Sequence, residues 1–535
     1  LSDFQCANTN HKNKKSFFLV FVFISLIALA HSFLYINFTI DDAFITFSFS
    51  KNFASGRGFV VTPGNNVEAT SSFLWAVLLI PFEFFGLGAV AGSKVLGVFF
   101  MIASLSLSIR LFQELSSERG WQWTLLAVLP TSFSTSFVLW CVYGMENALV
   151  AFLFLATLFL LYRETKNGLG MTSLFAILGL IMVRPEGFLY VPIFLATRFA
   201  SKITLRRNFI WLAALLMLWT IYEVFGWLYF ESLLPNTVGA KVYGSIAKRA
   251  GKGLVYLFGY SGIEILGFTI NYTFFLFCLG AFIFFIASKM QKATIYEFLA
   301  AFRSNIGISL CVAVLVTHVC FVILVGGDWM PRQRFLSHII PILFIIFAFF
   351  ARHVTQVARN YVSDSLLVPG IVGLILFFVI GFIMYNIVDA ARLYKTIKSF
   401  HESEERALFG VVDFANALAS PDDYLACSDI GRPAYRFKGR ILDWWGLADR
   451  EIVATNQAGG NLNPDADIVL KRKPRFLVVY SNGPELSIEN MARGAAKSTK
   501  SFYASQKFHD NYRQIYVVEF SPERHHLLFI LEEKN

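Results

Sequence analysis

Charge is scarce in this chain. Of its 535 residues only 15% are Asp, Glu, Lys or Arg, against 56% hydrophobic and 17% aromatic, a deficit that excludes an ordinary soluble domain of this length. Cysteine is sparse as well. Cys6, Cys141, Cys278, Cys311, Cys320 and Cys427 form no CxxC pair, and four of them lie within or at the ends of apolar runs, so neither a disulfide framework nor a zinc site is implied. A glycine fingerprint for nucleotides is missing too: Gly56 and Gly58 do not follow a strand within a βαβ unit, which leaves nucleotide-sugar chemistry unsupported.

Long apolar runs are abundant. A helix needs about 20 mostly apolar residues to cross roughly 30 Å of hydrocarbon. Such runs lie at 17–36, 91–109, 121–140, 145–162, 171–197, 208–230, 265–288, 304–326, 335–350 and 365–388. The run 171–197 is interrupted by Arg184-Pro185-Glu186-Gly187 and reads as two short helices meeting inside the membrane, for a total of about 11 membrane helices. Irregular backbone at that depth is tolerated only beside protein or a water-filled cavity, so the break marks a cavity.

The formal net charge of +10 then has a plain source in basic inner loops. With the N-terminus cytoplasmic, these loops collect Lys12/Lys14/Lys15, Arg110/Arg119, Arg163/Lys166, Arg198/Lys202/Arg206/Arg207, Lys289/Lys292/Arg303 and Arg352/Arg359. The outer face receives 37–90, the Cys141 to Glu146 corner, 231–264, the Gly326 to Arg334 loop and everything after about 390. Residues 70–86, which contain Pro81 and Glu83, are expected to lie along the interface rather than span. Ala28-Leu29-Ala30 resembles a signal-peptide cleavage site, but the uncharged stretch continues to Ile40 and is long enough to anchor. Because the chain starts at Leu1 and not Met, its true N-terminus is expected upstream.

The final segment has a different character. Its charge density rises, an amphipathic helix is predicted from Glu402 to Leu418, and strands are predicted at Tyr424 to Cys427, Arg475 to Tyr480, Gln514 to Phe520 and Leu527 to Leu531. The expected organisation is therefore an α-helical polytopic membrane domain, 1–390, followed by a small extracytoplasmic α/β domain, 391–535.

Asp41 and Asp42 sit immediately after the first run. Adjacent acids repel, and one of them can have a raised pKa suited to accepting a proton; the alternative is a simple N-cap for a helix over 43–54. Arg184 and Glu186, at the intramembrane break, either serve a functional site or pair with each other to hold the break open. Glu146, at the start of the next run, either hydrogen-bonds sugar hydroxyls or caps a helix.

Cationic groups suited to a phosphate occur twice. Lys241, Lys248, Arg249 and Lys252 follow Leu234-Pro235-Asn236-Thr237, and Arg332 and Arg334 close the turn Gly326-Gly327-Asp328-Trp329-Met330-Pro331. Attraction to anionic lipid headgroups is the plainer reading of the Lys248 cluster. His318, alone in an apolar helix, reads as a core residue.

These residues carry a resemblance. The stretch Asp41-Asp42-Ala43-Phe44-Ile45-Thr46-Phe47, followed by Asn52-Phe53-Ala54-Ser55-Gly56-Arg57-Gly58, Pro63-Gly64, Val67-Glu68-Ala69-Thr70-Ser71 and Phe73-Leu74-Trp75, resembles the first outer loop of C-type (GT-C) glycosyltransferases. The bacterial branch that includes the mycobacterial terminal arabinofuranosyltransferases is the most similar. Gly144-Met145-Glu146, Arg184-Pro185-Glu186-Gly187, Leu234-Pro235-Asn236-Thr237, Gly326-Gly327-Asp328-Trp329 and Asp429-Ile430-Gly431-Arg432 agree, so the likeness spans nearly the whole chain. Departures occur at Ala69-Thr70, where relatives often have an aromatic residue or Asn, and at Ser48, where they often have Arg.

The resemblance implies a GT-C-like fold and an inverting transferase of the bacterial inner membrane. It would move a pentose such as arabinofuranose, or a hexose, from a polyprenyl-phosphate to an envelope glycan or lipid on the outer face. Asp41 or Asp42 would be the base, with Glu68, Glu146, Arg184, Glu186, Asn236, Lys241, Asp328, Trp329, Arg332 and Arg334 around the substrates. No cofactor is required, and a divalent cation such as Mg²⁺ is compatible. The competing classes are a secondary transporter, which predicts internal repeats that the sequence does not display, and a non-catalytic envelope-assembly protein.

Overall fold

The computed structural model describes residues 2–117, 120–233, 235–237, 245–258, 263–265, 268–270, 305–361, 367–458, 466–487, 497–521 and 524–532. The chain divides into two compact units: 1–37, 94–219 and 245–393 form the first, and 38–93, 220–244 and 394–535 the second.

The first unit is helical. At its centre lies Asn147–Asn167, an apolar helix most of whose side chains are buried. It ends where Gly168 takes the left-handed conformation that closes helices at little cost (φ 67°). The next helix, Thr172–Val183, packs back along it and stops where expected. Proline disfavours helical geometry in the residue before it, and Arg184 is extended (φ −145°, ψ 118°). A 3₁₀ turn over Pro185–Tyr190 follows, and then the short helix Val191–Phe199.

The run 121–140, expected as one helix, is two. Trp121–Phe133 and Thr135–Val142 meet at a 60° bend. Ser134 is extended there, its hydroxyl accepting the Phe137 N–H, while the Thr135 amide donates to Asn386 Oδ1 at 2.8 Å. Side-chain acceptors thus replace the helical partners that the bend removes.

Among the described residues, five helices are long and apolar enough to cross a membrane, six if the bent pair counts as one span. Shorter apolar helices such as Thr172–Val183 and Ile340–Gln356 account for other expected runs, and 265–288 lies outside the described residues. Phe73–Phe84 has twelve residues, about 18 Å of helix, too short to cross roughly 30 Å of hydrocarbon.

The second unit is built from three separate stretches of chain. A five-stranded sheet has the order β2-β1-β3-β5-β4, with β1 Tyr424–Cys427, β2 Arg440–Asp443, β3 Phe476–Ser481, β4 Tyr512–Ser521 and β5 Arg524–Leu531. The pairs β1–β2 and β1–β3 are parallel; β3–β5 and β4–β5 are antiparallel. Strand β2 was not predicted from the sequence.

Central β3 is buried along its whole length, as a strand covered on both faces must be. Phe476 and Val478 belong to one apolar cluster, Leu477 and Val479 to another. The first cluster draws Ile45, Phe49, Phe59 and Ala76 from the loop after the first helix, and Val411, Val412 and Ala415 from the helix Leu367–Leu418. Residues 38–93, expected with the helical domain, therefore share a core with the tail. The amphipathic helix predicted from Glu402 is the end of that 52-residue helix, not a separate element.

Candidate active site

Asp41 and Asp42 open the helix Asp41–Ala54, where the helix dipole favours negative charge. Neither is the N-cap. That position is Ile40, which offers no side-chain bond. Asp41 is 8% exposed, and its two oxygens are both engaged by backbone: Gly431 N–H donates to Oδ2 at 3.0 Å and Arg432 N–H to Oδ1 at 2.7 Å. Asp42 is more open, only half-buried.

Only glycine permits this approach. A Cβ at Gly431 would stand 1.9 Å from the Asp41 carbonyl oxygen and 2.6 Å from its Oδ2. The guanidinium of Arg432 lies beside the same carboxylate, Nη1 to Oδ1 3.7 Å, while Nη1 donates to Glu404 Oε2 at 2.6 Å. Burial raises the Asp41 carboxyl to about 7; Arg432 opposes the rise, and the charges of Asp429 and Asp42 add to it. Asp429 accepts a hydrogen bond from the Tyr480 hydroxyl at 2.8 Å.

Further hydrogen bonds steady this unit. Glu83 accepts from the Tyr435 hydroxyl and the Ala89 amide, both at 2.7 Å, and Lys51 Nζ donates to the Tyr435 carbonyl at 2.5 Å. The Asn236 side chain donates to the carbonyls of Gly446 and Leu447, and its amide donates to the Glu68 carbonyl at 2.9 Å. Asn236 is thus a backbone pin.

The first unit holds its own set of charged side chains. Arg184 Nη2 meets Glu146 Oε1 at 2.5 Å, and Arg184 Nη1 lies 3.6 Å from Glu186. Arg334 Nε meets Asp328 Oδ2 at 2.6 Å, with the guanidinium over the rings of Phe335 and Trp140. Arg332 forms a bidentate pair with Asp389, at 2.9 and 2.7 Å. Each of these arginines carries a carboxylate partner, so an incoming anion would compete for it.

Residues 395–528 match the family model described as Domain of unknown function (DUF8728). No curated protein matches the chain in sequence. Among solved structures, ArnT from Cupriavidus metallidurans bound to undecaprenyl phosphate is similar at TM-score 0.52 and 12% identity, over 95% of this chain and 97% of that one. The archaeal oligosaccharyltransferase AglB from Archaeoglobus fulgidus, in complex with an inhibitory peptide and a dolichol-phosphate, gives 0.52 at 11% identity over 94% and 79%. An Archaeoglobus fulgidus oligosaccharyltransferase in the apo form gives 0.50 at 12% over 86% and 69%. The chain has the GT-C fold.

Within this GT-C fold, Asp41, Asp42, Glu68 and Asn236 belong to the second unit; Glu146, Arg184, Glu186, Asp328, Trp329, Arg332 and Arg334 belong to the first. Lys241 lies outside the described residues. Trp329 is 72% exposed. His318 is a core residue as expected, its ring bonded to the Tyr190 hydroxyl and the Phe335 carbonyl at 2.6 Å each. Among the described residues, no group of three or more His, Cys, Asp or Glu is placed to hold a metal ion.

Sequence reasoning missed Glu404 and Asp389, the acids facing Arg432 and Arg332. Gly431 and Arg432 had appeared only as landmarks in Asp429-Ile430-Gly431-Arg432, without a role.

Glu68 gives a pH test. Burial, and secondarily the charge of Glu223, push its carboxyl up to about 7. The folded chain keeps that proton where an unfolded chain has released it. The stabilisation is full below the ordinary value of 4.5 and is lost as pH rises through about 7. Glu68→Gln should abolish this decline, so the variant should gain about 1–3 kcal/mol on the native chain between about pH 5 and pH 8. Thermal unfolding in detergent at both pH values checks it. An equal difference at the two would contradict it.

Proposed function

We propose that this chain is an inverting glycosyltransferase that takes a sugar from a polyprenyl-phosphate carrier and gives it to a hydroxyl of an envelope glycan or lipid. The observation that carries the reading is the acid pair at the head of Asp41–Ala54 on a GT-C fold, with Asp41 tied by two amides and Asp42 left more open. ArnT and AglB are known with undecaprenyl phosphate and a dolichol-phosphate, and the proposed donor belongs to the same class of carrier. The site and the tail are assigned to the outer face of a bacterial inner membrane, consistent with the basic inner loops. The sugar is a pentose of the arabinofuranose type or a hexose.

In the proposed reaction the acceptor oxygen attacks the anomeric carbon from the face opposite the phosphate. Asp42 takes the hydroxyl proton as the new carbon–oxygen bond forms. The bond from the anomeric carbon to the phosphate oxygen breaks, its electron pair leaves with the carrier phosphate, and the configuration inverts. A phosphate leaves without being protonated and needs only charge stabilisation, so the reaction as written calls for no cofactor. That role is assigned to Arg334, with Arg332 the second candidate.

The test is incubation of the purified protein with radiolabelled polyprenyl-phosphate sugars and envelope extracts. A transferase makes a labelled glycan; a transporter or a scaffold makes none. Arg334→Ala should lower the donor kcat/KM about tenfold with the acceptor KM unchanged. Unchanged donor kinetics would move the phosphate role to another side chain.

A further inference from the structure

Arg432 is completely buried, an expensive place for a guanidinium, which loses several kcal/mol of hydration there. Its surroundings exceed what a brace requires. The guanidinium donates to Glu404 Oε2 at 2.6 Å and to the Thr39 carbonyl at 2.7 Å, and Nη2 lies 3.2 Å from His401 Nδ1. The rings of Phe44 and Phe409 cover it, at 5.0 and 5.8 Å. Both ends of the residue address Asp41: the amide binds Oδ1, and Nη1 lies 3.7 Å from the same oxygen. Glu404 and Asp41 therefore compete for a single nitrogen.

We infer that Arg432 is a positioning residue of the transfer reaction, fixing Asp41 and through it the adjoining Asp42, with Glu404 setting how much of the guanidinium Asp41 receives. This rests on the glycosyltransferase reading and deepens it. The local charge balance agrees. Asp41 faces Arg432, Asp429 and Asp42; Glu404 faces Arg432, Asp41 and Asp429; and His401, beside Arg432, also meets Glu405 at 3.4 Å. Glu404 lies beyond the apolar run of its helix, and burial pushes it to about 8 against the pull of Arg432.

A brace and a positioning residue predict different kinetics. Arg432→Gln deprives both acids of their cation, so kcat should fall about 10–100-fold with the donor KM within about threefold, whereas loss of a mere brace would leave the kcat of the folded protein unchanged. Arg432→Lys should recover part of the loss, because the charge returns without the fork. Glu404→Gln should keep kcat within about threefold of the native chain, because Asp41 then still has Arg432 beside it.

Arg436→Gln is the control. It lies on the same short helix in an exposed pair with Asp413 and should change nothing. Should Arg432→Gln fail to fold, Arg432→Lys still decides, with kcat lowered and the donor KM unmoved as the expected result. A native kcat in the folded Arg432 variants would overturn the role while leaving the transferase intact. No transfer by the native chain would overturn both.

Discussion

Asp42→Asn should cost about 10²–10⁴-fold in transfer rate while leaving the unfolding temperature close to that of the native chain. The amide keeps the shape of the side chain and removes its charge and its ability to take a proton, and Asp42 is the more open acid of the pair. Asp41→Asn should behave differently. Both oxygens of Asp41 accept backbone N–H groups, so an amide must turn its NH₂ against one of those donors. The expected result is slower transfer together with about 1–3 kcal/mol of lost stability. Rates from the radiolabel assay and thermal unfolding of the same preparations separate the two. Full activity in Asp42→Asn would remove it as the base.

Arg184→Met should destabilise the protein by about 3–5 kcal/mol, because it strands a carboxylate in a dry place. Glu146 is only 2% exposed, and Arg184 contacts it at 2.5 Å and Glu186 at 3.6 Å. The double variant Glu146→Gln/Arg184→Met should lose less than Arg184→Met alone, since the more deeply buried of the two stranded carboxylates is then neutral. The fraction of protein still folded after heating in detergent gives both values. If the double variant were the worse of the two, the pair would not be the element that holds the break.

The break at Arg184 was legible because its causes are local: a proline that cannot continue a helix, flanked by charges that lipid does not accept. Strands β1, β3, β4 and β5 were legible for the same kind of reason, as short apolar runs between turn residues. The bend at Ser134 was not, since Asn386, the partner of the Thr135 amide, lies 251 residues further on. Strand β2 has only Ile441 and Leu442 as apolar residues, between Arg440 and Asp443, and its register with β1 is encoded by no local pattern.

The site divides in the same way. Asp41 and Asp42 stood out as paired acids beside an apolar run, but the amides that grip Asp41 come from about 390 residues further on. Arg332 and Arg334 read as open cations because the sequence did not disclose the facing carboxylates of Asp389 and Asp328. Residue type revealed the chemistry. Pairing over long separations had to be read from the fold.

The grip of Gly431 on Asp41 bears on how such proteins can be recombined. A methyl group at that position would overlap the aspartate backbone, so a chimera that exchanged the tail for another domain would have to return a bare amide to the same spot. Grafting along an apparent boundary near residue 390 would separate two halves of one fitting, and the natural unit of exchange is the opening loop together with the tail.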